Sequence, residues 1–151
     1  FTAAMSAADT GHLVLSTVHT TTAAQSIGRI LDFFKAEERE QVRRQLAGCM
    51  QAVLCQRMVG TIDGQMTPAV EILINSSTEK KMIEENRLDK LGAAIETGSD
   101  EGMQSFNQAL FQLVKAGKVS QKEALAKASN PQALEMNFKG IFLDEGRRIL
   151  S

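Results

Sequence analysis

The run Leu13-Val14-Leu15, continued by Val18, reads as a buried strand, and a helix-period pattern begins directly after it. A strand that passes tightly into a helix is a unit of a layered α/β domain. Polar groups crowd the exit of this strand: Ser16, Thr17, His19, Thr20, Thr21 and Thr22. In open α/β sheets, ligands bind at the carboxyl ends of strands. The end Thr-Val-His-Thr-Thr-Thr is therefore a candidate phosphate-facing edge.

The flanking pattern supports the same class. Residues 1–9 predict a helix closed by Asp9-Thr10-Gly11, and 12–18 predict the strand. Thr20 or Thr21 serves as N-cap for a helix through about Phe34, with Ala23, Ile27, Ile30, Leu31 and Phe34 on one face. A second helix is expected from about Ala36 to Val53, on the stripe Val42, Leu46, Cys49, Met50 and Val53. Arg39, Arg43 and Arg44 lie off that stripe, as a solvated or subunit-facing patch. Strands at about 54–61 and 66–74 follow, joined around Ile62-Asp63-Gly64-Gln65. Asp-Gly is a hairpin signal because glycine accepts a positive φ.

After Asn75 only short helices are expected, at about 78–86, 88–96, 102–116 and 121–129, with Gly117 as a C′ residue. Ser120 with Glu123 forms a capping box. A last helix opens at Asn130-Pro131, carries Leu134, Phe138, Ile141 and Phe142, and ends on Asp144-Glu145-Gly146-Arg147-Arg148. The change of character divides the chain at 1–75 and 76–151.

At 151 residues a single domain with a real core is the default. A net charge of −1 gives no electrostatic case for nucleic acid. No apolar run approaches the roughly 18 residues of a membrane span, and residues 1–20 lack a signal-peptide pattern. Cys49 and Cys55 fit a reducing compartment, and their spacing suits neither zinc nor a Cys-x-x-Cys pair. Both read as small apolar filler. Residues 1–8 enter a helical pattern without a cap, the expectation for a piece of a longer chain.

His12 and His19 flank the strand at an odd separation, so a regular strand points them to opposite faces. A two-histidine metal site is not expected there, and no metal is expected elsewhere. His19 has two readings: it hydrogen-bonds a phosphate oxygen or a water, or it holds a loop. Glu71, inside Ala69-Val70-Glu71-Ile72-Leu73, is a functional carboxylate or the partner of a nearby arginine. The run from Glu79 to Arg87 reads as a solvated helix face with Met82 and Ile83 inward, or as a contact surface. The phosphate-loop pattern Gly-x-x-x-x-Gly-Lys-[Ser/Thr] does not occur in these 151 residues.

The segment Thr10-Gly11-His12-Leu13-Val14-Leu15-Ser16-Thr17-Val18-His19-Thr20 resembles the histidine box of the type II secretion and type IV pilus ATPases. Ile27-Gly28-Arg29-Ile30-Leu31-Asp32-Phe33-Phe34 is similar to the helix that follows it in that family. Gln41-Val42-Arg43, Leu46-Ala47, Gln51-Ala52-Val53 and Gln56 resemble the next helix and strand. Glu101-Gly102-Met103-Gln104-Ser105-Phe106-Asn107-Gln108-Ala109-Leu110 is similar to a segment of the pilus-retraction (twitching motility) branch. One departure stands at Thr78-Glu79-Lys80-Lys81-Met82-Ile83-Glu84-Glu85. Only Ile83 and Glu85 match the retraction branch in identity there, and the segment resembles the accessory retraction paralogue better, or a divergent branch.

The resemblance implies the C-terminal part of a RecA-like P-loop NTPase core (1–75), followed by a small all-helical domain (76–151). It implies an ATPase of type IV pilus retraction that uses ATP and Mg2+ in the full-length protein. The phosphate loop and Walker B glutamate precede the histidine box in the family. It assigns phosphate sensing to His19 and Thr20, and less directly to His12. It also implies a homo-hexamer, a pilus inner-membrane platform protein as partner, and a cytoplasmic place peripheral to the inner membrane. The alternatives are a catalytically incompetent assembly or interaction domain, and a related pilus-assembly or type II secretion ATPase.

Overall fold

The hairpin announced by Asp63-Gly64 organises everything around it. The computed structural model describes residues 1–142. In it, β1 (Ala52–Gly60) pairs antiparallel with β2 (Met66–Ile74), with Cys55 opposite Glu71 and Val53 opposite Leu73. Gly64 turns the chain at φ +81°, a conformation that side-chain-bearing residues resist. One face of the hairpin points inward, through Cys55, Val59, Ala69, Glu71 and Leu73. Period-two alternation is what lets so short a sheet feed a core.

Helices α1 (Thr2–Asp9), α2 (Ala23–Leu31) and α3 (Arg39–Cys49) precede the hairpin. After it come α4 (Ser77–Glu84), α5 (Leu91–Thr97), α6 (Phe106–Lys115), α7 (Gln121–Lys127) and α8 (Pro131–Phe138). Short 3-10 turns precede α5 at Leu88–Lys90 and follow it at Ser99–Glu101. Two apolar clusters result among the described residues. Met5, Ile27, Leu46, Leu73, Ile83, Leu91 and Ile95 belong to the first. Cys55, Val59, Ala69, Phe106, Leu110, Ala124 and Leu134 belong to the second. Glu71 thus lies on β2 between Ala69 of one cluster and Leu73 of the other.

Several expectations are met in detail. Ser105 accepts from the Gln108 amide while the Gln108 side chain accepts from the Ser105 amide, a complete capping box for α6. Gly117 follows the end of α6 at φ +69°. Pro131 stands at the first turn of α8, whose cap Asn130 accepts from the Ala133 amide. Ser120 caps α7, but Glu123 turns elsewhere: its Oε1 accepts from the Gly60 amide at 3.2 Å and ties the end of β1 to α7.

Other expectations are corrected. Residues 12–18 form no strand, and Leu13 and Leu15 are 86% and 88% exposed. A strand needs a ladder partner, and β1 and β2 pair with each other rather than with this segment. The helix expected to reach Val53 ends at Cys49, because Met50 is already extended and the chain turns into β1. Helix α2 stops at Leu31 rather than Phe34. Helix α8 ends at Phe138, leaving Ile141 and Phe142 half exposed or more. The expected polar end at Asp144-Glu145-Gly146-Arg147-Arg148 lies outside the described residues.

The arginines off the α3 stripe are mostly held locally. Arg43 donates to the Glu84 carbonyl at the end of α4, Arg44 pairs with Glu40, and Arg39 pairs with Asp32. In the run from Glu79 to Arg87, Ile83 is buried as expected, whereas Glu79 is buried too. Its carboxylate accepts from the Ser76 hydroxyl at the start of α4.

One buried amide clamps the last helices. Asn107 on α6 accepts from the Ser129 and Asn130 amides and donates to the Asn130 carbonyl at 2.8 Å. Asn107→Ala leaves three backbone groups without that partner. A loss of about 2–3 kcal/mol is expected in urea unfolding; a shift below about 0.5 kcal/mol would mean that water replaces the amide.

Candidate functional site

The polar exit identified in the sequence is built as a turn between the irregular segment and α2. Thr22 is the N-cap, in extended geometry, and its hydroxyl oxygen accepts from the Gln25 amide at 3.3 Å. The pattern Thr22-x-x-Gln25 carries this signal in the sequence; the cap lies one residue beyond Thr21, where the hydroxyl-rich run blurred it. Gln25 reaches back to Thr21, accepting from its hydroxyl at 2.7 Å and from its amide.

His19 sits just before this cap with φ +40°. Among the described residues only Asn86 shares a positive φ without being glycine. Histidine tolerates this region better than most side chains, yet it still costs about 1–3 kcal/mol. The imidazole is exposed. His12 stands at the opposite end of the segment, where its Nδ1 lies 3.1 Å from the Thr10 hydroxyl that closes α1. The two histidines are therefore placed on different helix termini.

The hydroxyls do not all face solvent. Thr20 Oγ1 lies 2.6 Å from Ser26 Oγ, which also donates to the Thr22 carbonyl at 3.0 Å and approaches Cys55 Sγ at 3.7 Å. A hydroxyl has one proton. With that proton on the Thr22 carbonyl, Ser26 accepts from both Thr20 and Cys55, so the Thr20 proton is spent inward. The Thr21 proton is spent on Gln25. Among His19, Thr20 and Thr21, the imidazole is the side-chain donor left for an incoming anion.

Glu71 completes the arrangement. It is 7% exposed, and its Oε1 accepts from the Ala23 amide, the first of α2, at 2.9 Å. A helix N-terminus attracts anions, and here the chain's own carboxylate fills part of it. The exit is therefore suited to a single phosphate contact rather than to a phosphate cradle. Glu71 does not form the expected close arginine pair. Arg57 acts on it at longer range, while its guanidinium stacks on Phe106 at 3.8 Å and donates to the Lys127 carbonyl and Ser129 hydroxyl. The roles of Cys55 and Glu71 were invisible to spacing, because the hairpin delivers them from 29 and 48 residues away, onto Ser26 and the Ala23 amide.

Burial raises the Glu71 pKa, against smaller lowering effects from the Ala23 amide and Arg57. Burial likewise raises the Cys55 thiol, so it stays a neutral donor. A carboxylate pKa raised by folding favours the protonated form. Its stabilising contribution is present below the ordinary value of 4.5 and is lost as pH rises through the folded value. Glu71→Gln keeps an acceptor for Ala23 without the charge. Its melting temperature relative to the wild type is therefore expected to rise as pH climbs from below the ordinary value of 4.5 towards neutrality. A difference that shrinks with pH would reverse the assignment.

Among the described residues no three His, Cys, Asp or Glu side chains converge on a possible metal position, and no helix is long and apolar enough to cross a membrane.

Comparison with known proteins agrees with this architecture. Residues 1–140 match the family described as type II/IV secretion system protein. The chain is 40% identical over 129 residues to the type IV pilus retraction ATPase PilT of Pseudomonas aeruginosa, covering 85% of this chain and 38% of that protein. The type IV pilus ATPase PilU of the same organism is 35% identical over 137 residues, covering 90% and 36%. The crystal structure of the pilus retraction motor PilT with bound ADP superposes with a TM-score of 0.77 at 35% identity, over 89% of this chain and 37% of that one. The fold is thus the α/β, RecA-like type of these ATPases. The chain spans less than two fifths of the length of the relatives it matches.

Proposed function

The chain belongs to the type II/IV secretion system protein family, and from that premise we propose that it is the C-terminal part of a hexameric ATPase that powers type IV pilus retraction. The observation that carries this reading is the 0.77 superposition, at 35% identity, on a retraction motor with ADP bound. The division into 1–75, the end of the RecA-like core, and 76–151, a helical domain, follows the change from hairpin to short helices after Ile74. The exposed, unpaired Leu13-Val14-Leu15 supports a sheet completed by residues outside this chain. In the full-length protein, Mg-ATP supplies a γ-phosphoryl group that passes to water. His19 donates to an oxygen of that group from the polar turn before α2. Thr20 links the contact through Ser26 to α2, so that loss of the phosphate releases the helix. His12 holds the end of α1. The protein works in the cytoplasm, peripheral to the inner membrane, against a platform protein of the pilus.

Identity of 40% to the retraction ATPase PilT against 35% to the pilus ATPase PilU favours the retraction motor, although residues 78–85 lean the other way. A second reading applies to the 151 residues alone: an assembly module without nucleotide affinity. The Glu71 carboxylate on the α2 N-terminus favours it. A hydrolysis assay and a titration test both. The full-length protein is expected to hydrolyse ATP, and its failure to do so sinks the motor. Calorimetry of Mg-ATP into this chain is expected to show no binding, and a measurable affinity would remove the second reading.

A further inference from the structure

The inward face of the hairpin grips the first turn of α2 at two points. Cys55 and Glu71 are directly opposite each other on β1 and β2. Cys55 meets Ser26, one α-helical turn into α2, and Glu71 meets the Ala23 amide. Ser26 is 2% exposed and Ala23 is fully buried, so neither contact is shared with water. Both ends of this grip lead to the exit: Ser26 bonds Thr20, and Ala23 follows the Thr22 cap. His19, in an unfavourable backbone conformation, precedes Thr20 directly. Such a conformation persists only where surrounding contacts over-determine it.

We propose that Glu71 is the positioning residue of the polar turn before α2: its buried carboxylate, seated on the Ala23 amide, fixes the α2 N-terminus and so holds the His19 imidazole where it meets the terminal phosphate of the nucleotide. This rests on the proposed ATPase reading and adds a residue that itself touches no substrate. The carboxylate has a second consequence. It occupies the anion-attracting end of α2, so phosphate is met by the histidine and not by the helix.

The test uses the full-length protein. Glu71→Ala removes the acceptor, and a displaced donor costs rate rather than binding. We expect kcat to fall about 10- to 100-fold, with KM for ATP nearly unchanged. Glu71→Gln, which still accepts from Ala23, is expected to restore most of the turnover. Wild-type kcat in Glu71→Ala, or a Gln variant as impaired as Ala, overturns the assignment. Should Glu71→Ala not fold, Glu71→Asp keeps the charge but shortens the reach. A lowered kcat in Asp supports the role, and full turnover in it overturns the role.

A second measurement separates this inference from the function beneath it. In the 151-residue chain, hydrogen exchange of the Ala23 amide is expected to quicken about tenfold in Glu71→Ala and to stay slow in Glu71→Gln. A full-length wild type without ATP turnover sinks the motor and the catalytic consequence together. Unchanged Ala23 exchange with an active wild type sinks the positioning alone.

Discussion

Replacement of His19 by alanine in the full-length protein is expected to lower ATP turnover by about 100-fold or more, the cost of removing one preorganised donor from a developing charge. KM for ATP should change little, because the contact strengthens as charge builds on the phosphate. The reason lies in proton bookkeeping at the exit. The Thr20 hydroxyl is spent on Ser26 and the Thr21 hydroxyl on Gln25, so neither replaces the imidazole. His19→Gly separates the two things this residue does. Glycine relieves the φ of +40° and removes the donor. If His19→Gly turns over ATP like the wild type, the histidine serves the backbone and not the phosphate. His12→Ala, far along the segment and bonded to Thr10, is expected to leave turnover near wild type.

The largest loss of stability is expected at Phe106. Its ring is fully buried in the second apolar cluster, under the Arg57 guanidinium. Phe106→Ala should cost about 3–5 kcal/mol through lost transfer energy and the cavity left behind. A domain of this kind has only about 5–15 kcal/mol to lose. Arg57 also donates to the Lys127 carbonyl and Ser129 hydroxyl, so unstacking it loosens the junction of α7 and α8. The urea midpoint reads the loss, and Phe106→Leu should recover most of it. A cost below about 1 kcal/mol would show that the cluster collapses into the space.

Local chemistry was legible wherever a few adjacent residues decide the outcome. Asp63-Gly64 fixed the hairpin turn, Asn130-Pro131 opened α8, and Gly117 closed α6. The strand at 12–18 was the main failure, and its cause is physical. An apolar run specifies that a segment seeks burial, but a ladder also needs a neighbour with free backbone groups. The hairpin strands pair with each other, and Gln104 pairs with Ile72 along the edge of β2. Leu13 and Leu15 are left in solvent.

The sequence by itself determined the α/β class, the hairpin, several helix caps and the family, since these are written in short-range spacing and in motifs such as the histidine box. It also placed His19 and Thr20 at one polar turn. Which of them keeps a free proton was decided only in three dimensions, by a serine from the next helix and a cysteine from the hairpin. The same holds for Glu71, an ordinary strand carboxylate until the fold sets it on the Ala23 amide. Hydrogen bonds between residues far apart in the chain depend on packing, and packing is settled by both apolar clusters at once rather than by any stretch of sequence.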